Sequence, residues 1–221
     1  MTIHDPRLLR LQAITDGRVA AAHGHSLQGV VRELLAAGVR LVQLRDKEAD
    51  GRRLYEQACQ LLALTRPVGA LLVIDDRVDV ALAAGADGVH VGQDDLPAAE
   101  VRRLAGPGLL LGVSCATPEE ATRAERDGAD YLGVGSVFPT GSKADAGEPI
   151  GLPGLQRVVV ATRLPVVAIG GITAENAASV MAVGAAGIAV VSALMGASDP
   201  LAAARTLMRV TAAEGERSGR R

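Results

Sequence analysis

Ala84-Gly85-Ala86-Asp87-Gly88-Val89-His90-Val91, residues 84–91, decides the fold, because it joins the end of an Ala-rich amphipathic segment to a short apolar run. A glycine directly after a helix takes the left-handed conformation without a steric penalty, so Gly85 indicates a helix end. The same pattern precedes three other apolar runs, at Ala37-Gly38-Val39, Asp127-Gly128-Ala129-Asp130 and Val183-Gly184-Ala185. We interpret all four glycines as structural and assign them no catalytic role.

Outward from this stretch, apolar runs and Ala-rich amphipathic segments alternate along the chain. Buried parallel strands read as short continuous apolar runs, and the segments between them have helical spacing. Eight runs fit strands, near residues 9–14, 40–44, 71–74, 88–91, 109–113, 131–134, 165–169 and 187–191. Eight strands separated by helices predict an α/β fold, a closed (β/α)8 TIM barrel formed as a single domain by residues 1–221. The polar, Gly-containing residues 214–221 are expected to form a disordered tail.

Composition narrows the classes of partner. The 221-residue chain has a net charge of −2, and its only aromatic residues are Tyr55, Tyr131 and Phe138, so stacking platforms for nucleic acid are missing. No run approaches the roughly 20 apolar residues of a membrane span, and no signal-peptide pattern is expected at the N-terminus. Cys59 and Cys115 are far apart and lack metal-ligand spacing, which suits a reducing cytoplasm. We expect a cytoplasmic protein that binds small phosphorylated molecules and neither nucleic acid nor membranes; a homo-oligomer is left open.

Polar residues interrupt the apolar runs at the predicted strand ends, where the active sites of such barrels lie. After the second run, Gln43, Arg45 and Lys47 alternate, so in an extended chain they point the same way. A guanidinium beside an ammonium suits a diphosphate, although a solvated charged loop would show the same pattern. These residues therefore indicate an anion site only together with their surroundings.

Two carboxylate pairs, Asp75-Asp76 and Asp94-Asp95, follow the third and fourth runs. Burying an uncompensated carboxylate is costly, so Asp75 and Asp76 need a cation or a helix N-terminus. One of them can cap the helix that begins near Arg77, which leaves the other free. Oxygen ligands from two adjacent loops, without a Cys or His cluster, suit Mg2+ whose coordination is completed by substrate phosphate.

A second anion site is expected after the seventh and eighth runs. Gly170-Gly171 and Val191-Ser192 lie where loops of such barrels present backbone N–H groups to phosphate, although glycines of tight turns would look the same. Residues 138–149 contain Thr140, Ser142 and Lys143 among Gly and Ala, a composition that predicts a lid over an anionic ligand. Two phosphorylated ligands, or one with phosphate at both ends, would fill the two sites.

The histidines do not form a base–nucleophile arrangement. His90 stands alone at a strand end, and we interpret it as a hydrogen-bonded structural histidine rather than a catalyst. Departure of a diphosphate needs neutralisation of its charge more than it needs a strong base. The inventory of polar residues therefore favours a reaction in which diphosphate leaves.

Six motifs in order resemble the thiamine-phosphate synthase family, and the resemblance covers roughly residues 9–210. They are Val42-Gln43-Leu44-Arg45-Asp46-Lys47, Ile74-Asp75-Asp76-Arg77, His90-Val91-Gly92-Gln93-Asp94-Asp95-Leu96, Gly112-Val113-Ser114, Phe138-Pro139-Thr140-Gly141-Ser142-Lys143 and Ile169-Gly170-Gly171-Ile172. The resemblance implies a transferase that condenses 4-amino-2-methyl-5-(diphosphooxymethyl)pyrimidine with 4-methyl-5-(2-phosphooxyethyl)thiazole. It implies thiamine phosphate and pyrophosphate as products, and a dissociative loss of diphosphate assisted by Mg2+.

The resemblance also implies a role for each matching residue. The pyrimidine diphosphate would be bound by Gln43, Arg45, Lys47, Asp75, Ser114 and Lys143, of which Arg45, Lys47, Ser114 and Lys143 would be catalytic. The thiazole phosphate would be bound by Thr140, Ser142, Gly171, Val191 and Ser192, and Mg2+ by Asp76 and Asp95. Pyrophosphate would leave first, and the thiazole nitrogen would then capture the methylene cation that the aminopyrimidine stabilises.

Two departures from the family's pattern bear on the alternatives. The family often has Asn where this chain has Asp75, which leaves the kind of contact made by Asp75 open. Many members have His two residues after Ser114, where this chain has Ala116, and the related thiazole tautomerases use a histidine in that region. Ala116 and the intact diphosphate residues favour a synthase over a tautomerase-like isomerase. A non-catalytic barrel that binds a phosphorylated metabolite is the other alternative.

Overall fold

The strands pair in chain order and close into a barrel. The computed structural model describes residues 6–141 and 148–218, and within them eight strands pair from β1 through β8 and back to β1. The strands are β1 Leu11–Ile14, β2 Leu41–Leu44, β3 Leu71–Asp75, β4 Gly88–Val91, β5 Leu110–Cys115, β6 Tyr131–Val134, β7 Val166–Ile169 and β8 Gly187–Val190. Every pairing is parallel, so all strands end at one face, the C-terminal face. The predicted (β/α)8 fold is confirmed, with strand ends displaced by at most two residues.

Helices surround the barrel between the strands. They are α1 Gly17–Ala22, α2 Leu27–Ala37, α3 Gly51–Thr65, α4 Val78–Ala84, α5 Ala98–Ala105, α6 Pro118–Arg126, α7 Gly151–Ala161, α8 Ala177–Ala182, α9 Ser192–Met195 and α10 Pro200–Ser218. The side chains of Asp16, Ser26, Asp50 and Thr117 accept hydrogen bonds from the first N–H groups of α1, α2, α3 and α6. These caps fix where the helices begin, because those N–H groups have no partner within a helix. In the described part of the chain, no helix combines the length and apolarity that a membrane crossing requires.

The last helix corrects one prediction. Residues 214–221 were expected to be a disordered tail, but α10 extends to Ser218, and only residues 219–221 lie outside the described residues. Ala, Glu and Arg are strong helix formers, and they outweigh the cost of about 1 kcal/mol that Gly215 imposes on a helix. Polarity alone therefore did not predict the end of this helix.

The four glycines of the repeat end helices as predicted. Gly38, Gly85, Gly128 and Gly184 have φ angles of 104°, 66°, 92° and 105°, in the region that other residues rarely adopt. Strands β2, β4, β6 and β8 each begin three residues after one of them. The glycines thus reverse the chain from a helix into the next strand.

Two aspartates of the same repeat link neighbouring strands at the face opposite the strand ends. Asp87 accepts a hydrogen bond from the backbone N–H of Leu72 at 2.8 Å, and Asp130 accepts one from Leu111 at 2.8 Å. Arg102 of α5 donates to the Asp130 carboxylate at 2.7 Å. Residues at this face of a barrel contribute to stability rather than to chemistry.

The barrel interior contains both apolar and polar side chains. Leu9, just before β1, and Leu41 and Leu110, the first residues of β2 and β5, belong to a buried apolar cluster inside the barrel. Gln12 and Gln43 lie further along their strands and are also buried, at 1% and 3% exposure. Buried polar side chains require hydrogen-bond partners. The barrel interior therefore contains polar side chains that must bond to one another.

Candidate active site

Gln43, Arg45 and Lys47 converge on one carboxylate at the C-terminal face. Gln43 Nε2 donates to Asp75 Oδ1 at 2.6 Å, and Lys47 Nζ lies 3.3 Å from Asp75 Oδ2. Arg45 Nε lies 3.7 Å from the same oxygen. The three alternating side chains thus share one side of the chain, as their spacing indicated. They place two positive charges and an amide around a single point.

Lys47 also pairs with Asp76, which lies beside Asp75 at the end of β3. Partial burial alone would lower the pKa of Lys47, but the hydrogen bond to Asp76 and the negative charge of Asp75 outweigh it and raise the pKa. The ammonium group therefore stays charged at neutral pH. Its positive charge is shared between two carboxylates.

Neither Asp75 nor Asp76 caps a helix, so that alternative is wrong. Helix α4 begins at Val78, its N-cap residue is Arg77, and no side chain caps it. Asp76 has a φ of 58°, a left-handed conformation that Asp tolerates better than most residues. Instead, ion pairs with Lys47 hold both carboxylates beside the cluster formed by Gln43, Arg45 and Lys47.

Asp95 brings a third carboxylate to this cluster from the loop after β4. Its Oδ2 accepts a hydrogen bond from the N–H of Gly92 at 2.7 Å. Burial raises the pKa of Asp95 and the neighbouring Asp76 raises it further, against the opposing effects of the Gly92 N–H and Lys47. Two like charges side by side favour a cation between them.

The donor set fits Mg2+ rather than a metal held by protein alone. Among residues 6–141 and 148–218, no group of three or more His, Cys, Asp or Glu side chains is placed to hold a metal ion. Asp76 and Asp95 supply oxygen from two loops, and Asp94 beside them is exposed. Mg2+ commonly binds through one or two carboxylates, with water and substrate phosphate completing its shell. The carboxylates present are of the kind and number that such a site requires.

Ser114 lies near the end of β5, two strands along the barrel from Asp75 of β3. Its Oγ is 2.9 Å from Nε2 of His90, and Nδ1 of His90 is 3.1 Å from the hydroxyl of Tyr131. Both ring nitrogens of His90 therefore have partners, in agreement with the interpretation of a hydrogen-bonded histidine. His90 is 8% exposed and lies inside the barrel.

The loops after β6 and β7 pack closely through Gly170 and Gly171. Their φ angles are 101° and 61°. A Cβ on Gly170 would lie 2.1 Å from Oγ of Ser136, and one on Gly171 would lie 2.5 Å from the carbonyl oxygen of Pro139. Only glycine fits both the backbone conformation and the space at these positions. The contact between the two loops is thus enough to require both glycines, whether or not they also bind a phosphate.

The other residues predicted to bind the thiazole phosphate follow the neighbouring strands β6 and β8. Val191 directly precedes α9, and Ser192 begins it and is exposed. Thr140 is half-buried in the loop after β6. Ser142 and Lys143 lie outside the described residues, as does half of the predicted lid, residues 142–147.

Several site residues were missed by the sequence analysis. Thr15, which is fully buried at the end of β1, accepts from the backbone N–H of Arg45 at 2.9 Å and donates to its carbonyl at 3.3 Å. Gln12 and Tyr131 lie deeper, where Gln12 Nε2 is 2.8 Å from Gln43 Oε1. A glutamine within the apolar run of β1 was the available signal, because burying an amide requires partners.

Cavity size alone does not locate the site. A groove of about 510 Å³ lies on the helical layer, lined by the end of α2 and by residues 199–212. A smaller cleft of about 140 Å³ is lined by Lys47, Asp75, Asp76 and Arg77. The smaller cleft contains the converging charges, and it is the candidate for binding an anion.

Comparison with known proteins gives a consistent result. A family model described as thiamine monophosphate synthase matches residues 11–194. The chain is similar to the thiamine-phosphate synthase of Moorella thermoacetica, with 54% identity over 181 residues that cover 82% of this chain and 86% of that protein. It is 49% identical over 209 residues to the thiamine-phosphate synthase of Chloroflexus aurantiacus, covering 95% of each. The solved thiamine phosphate pyrophosphorylase of Pyrococcus furiosus matches with a TM-score of 0.86 and 44% identity, covering 95% of this chain and 98% of that one.

Proposed function

The chain belongs to the thiamine monophosphate synthase family, and we propose how its residues carry out the reaction. The activity is the condensation of 4-amino-2-methyl-5-(diphosphooxymethyl)pyrimidine with 4-methyl-5-(2-phosphooxyethyl)thiazole. The products are thiamine phosphate and pyrophosphate. The reaction therefore transfers the pyrimidinylmethyl group from a diphosphate to the nitrogen of the thiazole.

The observation that carries the residue assignment is the convergence of Gln43, Arg45 and Lys47 at Asp75. A diphosphate at this point would meet a guanidinium fork and an ammonium group, which suit its doubly charged oxygens. Lys47 is paired with aspartates in the ligand-free chain, and it would turn to the diphosphate when the substrate binds. Arg45, held by Thr15 through its backbone, would meet the diphosphate with little rearrangement.

Asp76 and Asp95 would hold Mg2+, which when bound supplies positive charge to the departing diphosphate. The support for this assignment is their position as neighbouring carboxylates, with a raised pKa at Asp95 caused first by burial and then by Asp76. Asp75, which is engaged by Gln43, would face the pyrimidine side of the site. Ser114, at the end of β5, would donate its hydroxyl proton to the diphosphate.

The loops after β6, β7 and β8 would bind the thiazole phosphate. We assign Thr140, Gly171, Val191 and Ser192 to this phosphate because a compact, glycine-requiring contact brings backbone groups close together at the C-terminal face. Ser142 completes the proposed set. Lys143 as a catalytic residue on a closing lid stays a prediction.

No strong base is needed by this mechanism. Pyrophosphate leaves with its charge neutralised by Arg45 and Lys47, and the aminopyrimidine stabilises the methylene cation. The thiazole nitrogen then captures that cation. Catalysis would rest mainly on charges placed where negative charge develops, which is commonly the largest contribution of an enzyme site.

Release of pyrophosphate is the test of this function. We expect release only when both substrates and Mg2+ are present. Arg45→Ala should lower kcat by roughly 10²-fold or more, by analogy with the loss of one charge-stabilising donor elsewhere. Arg103→Ala, which removes an exposed arginine paired with Glu100 on α5, should leave kcat unchanged.

The alternatives predict different results in the same assay. A tautomerase-like isomerase would convert a thiazole without releasing pyrophosphate, and a binding protein would turn over neither substrate. Ala116, in the position where a tautomerase histidine is expected, carries only a methyl group and cannot transfer a proton.

Cys59 and Cys115 are free thiols, which supports our proposal of a reducing, cytoplasmic location.

A further inference from the structure

Six polar side chains form a continuous hydrogen-bonded path through the barrel interior, which we call the interior chain. Its members, in order of contact, are Asp75, Gln43, Gln12, Tyr131, His90 and Ser114. The successive donor–acceptor distances are 2.6, 2.8, 3.3, 3.1 and 2.9 Å. The path runs through the barrel interior from the end of β3, by way of β2, β1, β6 and β4, to the end of β5.

The strands leave room for this path by means of two glycines. His90 of β4 and Tyr131 of β6 both pair in register with Gly112 of β5, which lies between them. A Cβ on Gly112 would lie 2.3 Å from Nδ1 of His90 and 2.3 Å from Cζ of Tyr131. A Cβ on Gly133 would lie 2.8 Å from Cε1 of His90. Glycine within a strand weakens the strand, so its use here marks a close approach that the fold accommodates.

The hydrogen bonds of the interior chain have a direction that Asp75 sets for the two amides. A carboxylate accepts and does not donate, so Asp75 orients the amide of Gln43 with its NH2 toward Asp75 and its oxygen toward Gln12. Gln12 must then turn its NH2 toward Gln43, and the same NH2 donates to the hydroxyl oxygen of Tyr131. The proton of that hydroxyl is left to point at His90.

The direction continues through the imidazole to Ser114. Burial raises the pKa of Tyr131, so its hydroxyl stays protonated and has a proton to donate to Nδ1 of His90, 3.1 Å away. A neutral imidazole that accepts at Nδ1 carries its proton on Nε2, and it therefore donates to Oγ of Ser114. Because Ser114 accepts from His90, its own proton is free to point into the site.

We propose that Gln12, Tyr131 and His90 are positioning residues that fix the direction of the Ser114 hydroxyl, so that this hydroxyl donates to the departing diphosphate. The inference rests on the proposed assignment of Ser114 to the diphosphate. Tyr131 and Gln12 touch no substrate and act by selecting the tautomer of His90. A purely structural interior chain would affect stability and leave turnover unchanged.

The tautomer of His90 in the wild-type protein is the first test. We expect 15N NMR of imidazole-labelled protein, without substrate, to show Nε2 protonated and Nδ1 unprotonated. The His90→Gln spectrum identifies the signals, since the chain contains only four histidines. A proton on Nδ1 would overturn the proposal, because Tyr131 would then accept from His90 instead of donating to it.

Steady-state kinetics is the second test. Tyr131→Phe keeps the ring and removes the hydroxyl, and we expect kcat to fall by roughly threefold to tenfold, as for the loss of one net hydrogen bond. The KM for the thiazole phosphate should not change. Tyr55→Phe, the matched change at the partly exposed tyrosine of α3, should leave kcat as it is.

Two further variants separate positioning from packing. In His90→Gln the side-chain oxygen can accept from Tyr131 and the NH2 can donate to Ser114, so this variant should retain most of the turnover that His90→Leu loses. In a Ser114→Ala background, Tyr131→Phe should have no further effect on kcat, because the group that it positions is gone. Additive effects of the two substitutions would refute the proposal. A wild-type protein that releases no pyrophosphate would instead refute the proposed function.

Discussion

Replacing Asp95 by Asn is expected to stabilise the ligand-free protein and at the same time abolish its Mg2+-dependent turnover. The substitution removes one negative charge from the pair formed with Asp76. The side-chain oxygen of Asn can still accept the hydrogen bond that Gly92 donates to Asp95. The change is therefore close to a removal of charge alone.

The size of the stabilisation follows from Coulomb's law. Two unit charges about 4 Å apart repel by about 1 kcal/mol in water and by about 4 kcal/mol at the effective dielectric of a protein surface. Lys47 beside Asp76 offsets part of this repulsion, and the partial exposure of Asp95 screens it further. We expect a net gain of about 1 kcal/mol, which raises Tm by about 2–4 °C for a chain of this size.

The dependence on pH has a defined sign. Burial and Asp76 raise the pKa of Asp95 in the folded state. The proton bound there favours folding below the pKa of Asp in the unfolded chain, about 3.9, and this contribution is lost as the pH rises through the folded pKa. The difference between Asp95→Asn and wild type should be near zero at low pH. It should grow as the pH rises from the unfolded pKa through the folded pKa, and it should stay constant above that.

Thermal unfolding with and without Mg2+ and pyrophosphate measures both effects. Wild type should be stabilised by the two ligands together, and Asp95→Asn should not. Asp94→Asn is the matched control, since Asp94 is the exposed neighbour in the same loop and should leave both measurements unchanged. Asp76→Ala should lose turnover as Asp95→Asn does. An Asp95→Asn protein less stable than wild type without metal, or one with normal Mg2+-dependent turnover, would refute this reasoning.

Three other substitutions or measurements test different parts of the molecule. Thr140→Val should raise the KM for the thiazole phosphate roughly tenfold, which is the effect expected when a hydrogen bond to a charged group is lost. The KM for the pyrimidine substrate should change little. An equal rise in both KM values would mean that Thr140 is assigned to the wrong phosphate site. Asp130→Ala leaves the Leu111 N–H and Arg102 without their shared acceptor, so denaturant unfolding should show a loss of about 1–3 kcal/mol while kcat is retained. Burial raises the pKa of Cys115 to about 12, so mass spectrometry after alkylation at pH 8 should find Cys59 modified and Cys115 not; labelling of Cys115 in the folded protein would contradict its burial.

The fold could be predicted because its signals are local. Each strand is a short apolar run, and a glycine such as Gly85 reports a conformation that its own residue must adopt. The first strand shows the limit of such signals. Leu9 is as buried as a strand residue, yet it belongs to the 3-10 turn Pro6–Leu9, and β1 begins at Leu11. Hydrophobicity reports burial, and it does not distinguish the backbone conformation of two adjacent buried residues.

The site could be predicted where its residues are close in sequence or follow neighbouring strands, as Asp76 and Asp95 do. The alternation of Gln43, Arg45 and Lys47 sufficed to place them on one side. The pairing of Gln12 with Tyr131 joins residues 119 positions apart, and it depends on the closure and register of the barrel. No local pattern encodes such a contact. The helix cap predicted for Asp75 or Asp76 was wrong for a similar reason. Lys47, which follows a different strand, forms ion pairs with both carboxylates.

The two faces of the barrel differ in what they contribute to folding. At the C-terminal face, Asp76 adopts a left-handed conformation, which costs on the order of 1–3 kcal/mol, and Asp95 lies beside it as a second negative charge. At the opposite face, the apolar cluster around Leu41 and the hydrogen bonds of Asp130 offset such costs. Because the strain and this packing lie at opposite faces of the barrel, a substitution in the site leaves the packing in place. Variants at the C-terminal face should therefore remain folded, so that their kinetic effects report on chemistry.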